Sequence, residues 1–219
     1  MPSKHVPLSA SLVDYIERCH SQSEDPLLHE LREETLALGE VSIMQITPEQ
    51  GAFLSLLIGA LGVRRPIEVG TFTGYSAICL ARPLPEDGTL LCLDSSEEWT
   101  GLARTYWERA GVLDRIELML GDAEDSLQSF PEEPLFDFAF IDADKTRYDA
   151  YFELLLPRLE KGSVMVFDNM LWGGDVLQQF LVEPNARAIN ALNRKLAGDL
   201  RVESVLLPVA DGLNICRKL

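Results

Sequence analysis

The chain has 219 residues, 47% of them hydrophobic and 25% charged, which is ordinary globular composition with room for one well-filled domain. Acidic residues number 35 against 19 basic ones, for a formal net charge of −16. Such a chain repels phosphate backbones and anionic lipid, so neither nucleic acid nor a membrane surface is an expected partner.

Cys19, Cys79, Cys92 and Cys216 are scattered, with no CxxC pair. The last three sit in apolar runs, where a buried thiol is the ordinary outcome; no disulfide framework or zinc knuckle is indicated, in keeping with a reducing compartment. The opening residues MPSKHVPLSASLVDY hold no unbroken apolar stretch, and no segment reaches the roughly 18 apolar residues of a membrane span. A cytoplasmic location is expected.

Two amphipathic helices are expected at the start, over Ser9–His20 and Pro26–Leu38. A third begins at Thr47, where Pro48 suits the first turn and Gln50 completes a capping box, and runs to Gly62. From Pro66 the pattern alternates. PIEVG is a strand and YSAICLARPL a helix; GTLLCLD is a strand, and Ser95 with Glu98 caps the helix EEWTGLARTYWERAG. RIELML, FDFAFID and SVMVFDN are further strands, separated by helices at 123–130 and in RYDAYFELLLPRL; another helix covers Glu183–Leu196. RVESVLLPV and LNICRKL flank Ala210–Asp211–Gly212, the signature of an antiparallel hairpin. The fold class is therefore α/β: a Rossmann-like, mostly parallel sheet with helices on both faces, closed by an antiparallel hairpin. One domain over 1–219 is expected, with 1–45 as N-terminal helices and 46–219 as the catalytic core.

The first strand runs into Gly70–Thr71–Phe72–Thr73–Gly74. Its G-x-x-x-G spacing lets the backbone turn sharply and approach a ligand, but differs from the G-x-G-x-x-G that cradles a pyrophosphate. Asp94 ends the second strand, where an acid can hold both ribose hydroxyls; a helix cap is its plainer reading. Together these favour a nucleoside cofactor with no required phosphate. S-adenosylmethionine fits, and its cationic sulfonium suits an acidic rim of Glu68, Asp94 and Asp142.

Asp142 closes the fourth strand, and Asp168–Asn169 the fifth. Neighbouring strand ends would bring two carboxylates and an amide oxygen together, a hard donor set suited to Mg²⁺, Mn²⁺ or Ca²⁺ and not to zinc. Taken singly, each is also an ordinary cap. Lys145, three residues after Asp142, points into the same mouth and is a candidate base; a surface pairing with Asp144 or Asp149 is the alternative.

The stretches MQITPEQGAFL, IEVGTFTGYSAICLA, FDFAFIDADKTRYDAYF, VMVFDNMLWGGDV and LLPVADGLNICRK together resemble the metal-dependent catechol and caffeoyl-coenzyme A O-methyltransferases, above all their small bacterial members. The resemblance runs from about Met44 onward. It implies S-adenosylmethionine contacts at Ile46, Glu68, Gly70, Thr71, Ser76, Asp94, Ala123, Asp142 and Asp144, and metal ligation by Asp142, Asp168 and Asn169. It further implies Lys145 and Asp142 as catalytic residues, Lys145 as the base, with Lys145, Asn169 and Trp172 against the acceptor, N-terminal helices covering the acceptor pocket and contributing dimer contacts, and a homodimer. Two departures stand out: Gly173 replaces a polar acceptor contact of the plant enzymes, and the segment from Asp175 to Asn185 is short. The implied reaction is methylation of one hydroxyl of a catechol-type phenol chelated to Mg²⁺ or a similar ion. A coenzyme A thioester or another natural product is the alternative acceptor, and an NAD-dependent dehydrogenase the rival class.

Overall fold

A computed structural model describes residues 6–21, 25–178 and 182–219. Seven strands form one sheet: β1 (Pro66–Val69), β2 (Leu90–Asp94), β3 (Ile116–Leu120), β4 (Phe136–Ile141), β5 (Leu159–Phe167), β6 (Val202–Leu207) and β7 (Leu213–Lys218). Their order is β3-β2-β1-β4-β5-β7-β6. The first five are parallel, and β7 pairs antiparallel with both β5 and β6. This is the expected arrangement, hairpin included.

The helices are α1 (Ala10–Arg18), α2 (Pro26–Leu36), α3 (Pro48–Leu61), α4 (Tyr75–Ala81), α5 (Glu97–Arg109), α6 (Ala123–Ser129), α7 (Tyr148–Leu155) and α8 (Pro184–Gly198). Strand alternation distributes them. In β4, Phe138 and Phe140 face the layer containing Leu31, Ile58, Ile78 and Trp107, whereas Ala139 and Ile141 face that of Leu127, Phe152 and Ile189. A strand apolar on both faces is what a sheet covered on both sides requires. Among the described residues, no helix is long and apolar enough to cross a membrane.

Several boundaries differ from expectation. The serine capping α5 is Ser96, whose Oγ accepts the Trp99 N–H at 3.2 Å, not Ser95. The reason is Asp94, which takes the Ser96 N–H at 2.8 Å and holds Ser95 outside the helix. The second helix ends at Leu36, and the chain continues as an unanticipated 3₁₀ segment over Gly39–Met44. Helix α7 gives way to a 3₁₀ turn at Pro157, and β5 starts at Leu159, earlier than expected. The thiols of Cys79, Cys92 and Cys216 are buried as expected, while Cys19 is exposed.

Candidate active site

At the carboxyl ends of β1, β2, β4 and β5 opens a cleft of about 1050 Å³, ample for a nucleoside cofactor beside a small acceptor. Its lining includes Ile46, Gly70, Thr71, Ser76, Asp94, Ala123, Asp142, Asp144, Lys145, Asp168, Asn169, Trp172 and Gly173. Every cofactor, metal and acceptor contact that the resemblance implies is there except Glu68.

Glu68 is fully buried. It sits opposite Cys92 and Phe140 in the neighbouring strands, so alternation turns it into the sheet layer and away from the rim where it was expected. The Thr71 hydroxyl donates to its Oε2 at 2.9 Å and the Cys92 thiol at 3.3 Å, while Oε1 has no partner. Burial pushes its pKa up to about 7. Glu68 thus props the glycine loop from beneath.

That loop is a cradle only glycine permits at two points. A Cβ on Gly70 (φ +91°) would lie 2.1 Å from the Asp142 carbonyl oxygen, and one on Gly74 (φ +83°) 2.5 Å from Trp107 Nε1. Between them, the Thr71 and Phe72 N–H groups donate to Asp94 Oδ2 at 2.9 and 2.8 Å. Asp94 therefore ties the loop to β2, a structural duty the sequence did not reveal. Phe72 meets Trp99 edge-on, with centroids 5.0 Å apart, to wall the same side of the cleft.

The acidic end is assembled by strand register. Asp142 N–H donates to the Val69 carbonyl at 2.8 Å, and Asp168 N–H to the Ile141 carbonyl at 3.0 Å, which carries the ladder one residue past each strand. The Tyr148 hydroxyl lies 3.1 Å from the Ile141 carbonyl and 3.2 Å from that of Asp168, pinning β4 to β5. Lys145 Nζ donates to Asp142 Oδ1 at 2.6 Å; its partner is neither Asp144, which caps the turn at Thr146, nor Asp149, which pairs with Lys195. Asp168 Oδ1 accepts the Asn169 N–H at 2.6 Å and the Gln50 side-chain amide at 2.8 Å. Burial first, and the charge of Asp142 second, raise the Asp168 pKa to about 7.

Among the described residues, no cluster of three or more His, Cys, Asp or Glu side chains is placed to hold a metal. The candidate set here is two carboxylates and an amide, and it fits a hard cation: the charge of the half-buried Asp142 raises the pKa of the buried Asp168, and a divalent ion would relieve that repulsion. Backbone strain gathers around the cleft as a whole. Among the described residues, the non-glycine ones with left-handed backbone are Phe72, Asn169, Trp172 and Ala210, and all four line the cleft. The turn of the closing hairpin buttresses this side. Gly212 and Asp211 carbonyls accept the Met170 and Leu171 N–H groups at 2.9 and 2.8 Å, and Asp211 Oδ1 accepts the Gly173 N–H at 2.7 Å. Of the short segment 175–185, residues 179–181 lie outside the described ones.

Residues 18–219 match the sequence profile of a family described as O-methyltransferase. The chain belongs to the O-methyltransferase family. It is 41% identical over 187 residues to tricin synthase 2 of Oryza sativa subsp. japonica, covering 80% of this chain but only 64% of that enzyme. It is 36% identical over 230 residues to a caffeoyl-CoA O-methyltransferase of Populus kitakamiensis, covering 100% of this chain and 98% of the relative. Among solved structures, the O-methyltransferase from Bacillus cereus in complex with SAH superposes with a TM-score of 0.87 at 34% identity, covering 95% of this chain and 97% of its own. Membership in the family removes the dehydrogenase reading.

Gln50, Trp99, Tyr148 and the 210–212 turn were missed by sequence reasoning as site residues. Gln50 carried a signal in the capping box and 210–212 one in the hairpin turn, and each pointed to local structure alone.

Proposed function

We propose that this protein moves the methyl group of S-adenosylmethionine to one hydroxyl of a catechol-type phenol held at a divalent cation. The observation that carries this reading is the meeting of Asp142, Asp168 and Asn169 at adjacent strand ends, beside Lys145 and across one cleft from the glycine loop. The cofactor half is supported by the Bacillus cereus relative's complex with SAH, the demethylated form of that cofactor. It is also supported by a cleft that presents backbone and carboxylate and lacks a pyrophosphate-type loop.

Ile46, Gly70, Thr71, Ser76, Asp94, Ala123 and Asp144 are the proposed cofactor contacts, with Glu68 acting from below through Thr71. Asp142, Asp168 and Asn169 would hold the ion, Mg²⁺, Mn²⁺ or Ca²⁺. A cation bound there would supply Lewis-acid charge that lowers the pKa of an acceptor phenol. Lys145, already at the mouth, would take the phenolic proton as the neutral amine, after its own ammonium proton has passed to water. Trp172 and Asn169 fix the ring so that one oxygen faces the methyl, a positioning effect that can contribute on the order of 7–11 kcal/mol. A single methylation with a positional bias follows.

The coenzyme A thioester is the second reading, favoured by the name of the Populus kitakamiensis relative. Against it, the lysine and arginine lining the cleft are Lys145 and Arg147; Lys145 is engaged by Asp142, and Arg147 by Asp122 and Glu124. Neither is free to meet a polyanionic tail. A cytoplasmic location and a homodimer complete the proposal, the latter open to light scattering.

The test is methyl transfer to vicinal diphenols and to their coenzyme A esters, with saturating EDTA and with added Mg²⁺. Turnover of catechols only with metal is expected. Equal rates in metal-stripped protein, or equal turnover of isolated monophenols, would sink the chelate mechanism.

A further inference from the structure

The side-chain amide of Gln50 is nine-tenths buried and more, at 2% exposure, and it is held at both ends. Its Oε1 accepts the Thr47 backbone N–H at 2.8 Å and the Thr47 hydroxyl at 3.1 Å. A backbone N–H can only donate, so the amide oxygen must face Thr47 and the NH₂ group must face the other way. There, Nε2 lies 2.8 Å from Asp168 Oδ1, a contact between residues 118 apart in the chain. The same Oδ1 accepts the Asn169 N–H at 2.6 Å. Both bonds end on one oxygen, which leaves Oδ2 as the oxygen free to meet a cation.

We propose that Gln50 is a positioning residue for the metal site: its amide, locked by the start of α3, fixes the Asp168 carboxylate so that it ligates through Oδ2 alone. This rests on the metal reading given above. The two acids are then treated differently. Asp142 is engaged by the ammonium of Lys145, at 2.6 Å, whereas Asp168 is held by two neutral donors that orient it and leave its charge for the ion. Outer partners of this kind are commonly worth 10–100-fold in metal affinity. The capping box thus has a second duty, because the glutamine that closes the helix end also aims a ligand on β5.

The experiment is Mn²⁺ binding to the full chain without acceptor, followed by the loss of the free-ion signal in electron paramagnetic resonance. Gln50→Met keeps the volume and removes the amide. Thr47→Ala weakens the same helix cap but leaves the Thr47 N–H and the Gln50 amide in place. Gln50→Met should bind Mn²⁺ about tenfold or more weakly while Thr47→Ala stays within about twofold of the wild type, with S-adenosylmethionine affinity held in both. Unchanged Mn²⁺ affinity in Gln50→Met, or an equal loss in Thr47→Ala, would reduce Gln50 to a helix cap and overturn the proposal. A measurement on the unaltered protein covers the case in which Gln50→Met does not fold. The Gln50 side-chain ¹⁵N resonance should move during a Mg²⁺ titration with the midpoint of metal binding, and a resonance that stays put at saturation overturns it equally. Failure of the wild type to bind Mn²⁺ at all is a distinct result, which removes the metal reading and this inference with it.

Discussion

Lys145 Nζ and Asp142 Oδ1 are 2.6 Å apart, with both side chains only 12% exposed. The ammonium therefore occupies one oxygen of a proposed metal ligand, and it must give a proton to water before it can serve as the proposed base. Lys145→Met should lower kcat by about 100-fold or more, the usual range for a general base, while calorimetry shows S-adenosylmethionine binding largely preserved. A variant with wild-type kcat would return Lys145 to a simple ion pair.

Asp94 ties the glycine loop to β2 and is proposed to hold the cofactor ribose, and its replacement should show both. Asp94→Ala strands the N–H groups of Thr71, Phe72 and Ser96, so thermal unfolding should report a loss of about 1–3 kcal/mol. S-adenosylmethionine affinity should fall as well, since both the ribose acceptor and the loop shape are gone. Weaker cofactor binding without any loss of stability would mean that the loop holds its shape unaided.

Much of this was open to inspection in the sequence, and what was hidden shares a cause. The βα order follows from apolar runs broken by glycine and proline, and Asp142, Asp168 and Asn169 were recognisable because each follows such a run. Glu68 misled because an acid between Ile67 and Val69 reads as a strand-end residue; only the side toward which β1 alternates puts it under the loop. Gln50 and Asp168 meet across 118 residues, and no local pattern encodes that. The Thr35 hydroxyl is hidden in the same way: it donates to Thr73 Oγ1 at 2.9 Å, tying α2 to the glycine loop.

Glu68 gives the apoprotein a pH dependence with a definite sign. Its pKa rises from an ordinary 4.5 to about 7 in the folded chain, so between those values the native state binds a proton that the unfolded chain releases. Its contribution is fully present below about pH 4.5 and is lost as the pH rises through 7, on the order of 3 kcal/mol over the window. Glu68→Gln should flatten that slope in urea melts recorded from pH 5 to 8. An unchanged slope would assign the dependence to the chain's general acidity.

Asp211 lines the cleft and accepts hydrogen bonds from the backbone of Leu171 and Gly173, on the side proposed for the acceptor. Asp211→Ala removes the bond to Gly173 and should loosen Trp172, raising the acceptor KM several-fold with the S-adenosylmethionine KM unaltered. Equal increases in both would show that the turn supports the whole cleft and not one wall.

The strand order also imposes a timetable on synthesis. β5 carries the loop with Asp168 and Asn169, and its outer neighbour is β7, made more than 40 residues later by the count from Phe167 to Leu213 (213 − 167 = 46). Until then β5, apolar on both faces at Val164–Phe167, has an unpaired edge of the kind that recruits other strands. On the ribosome, the half of the site that would hold the cation is therefore the half that waits, while the glycine loop and Asp94 can already be in place. A nascent chain halted in α8 should accordingly be the species most in need of a chaperone.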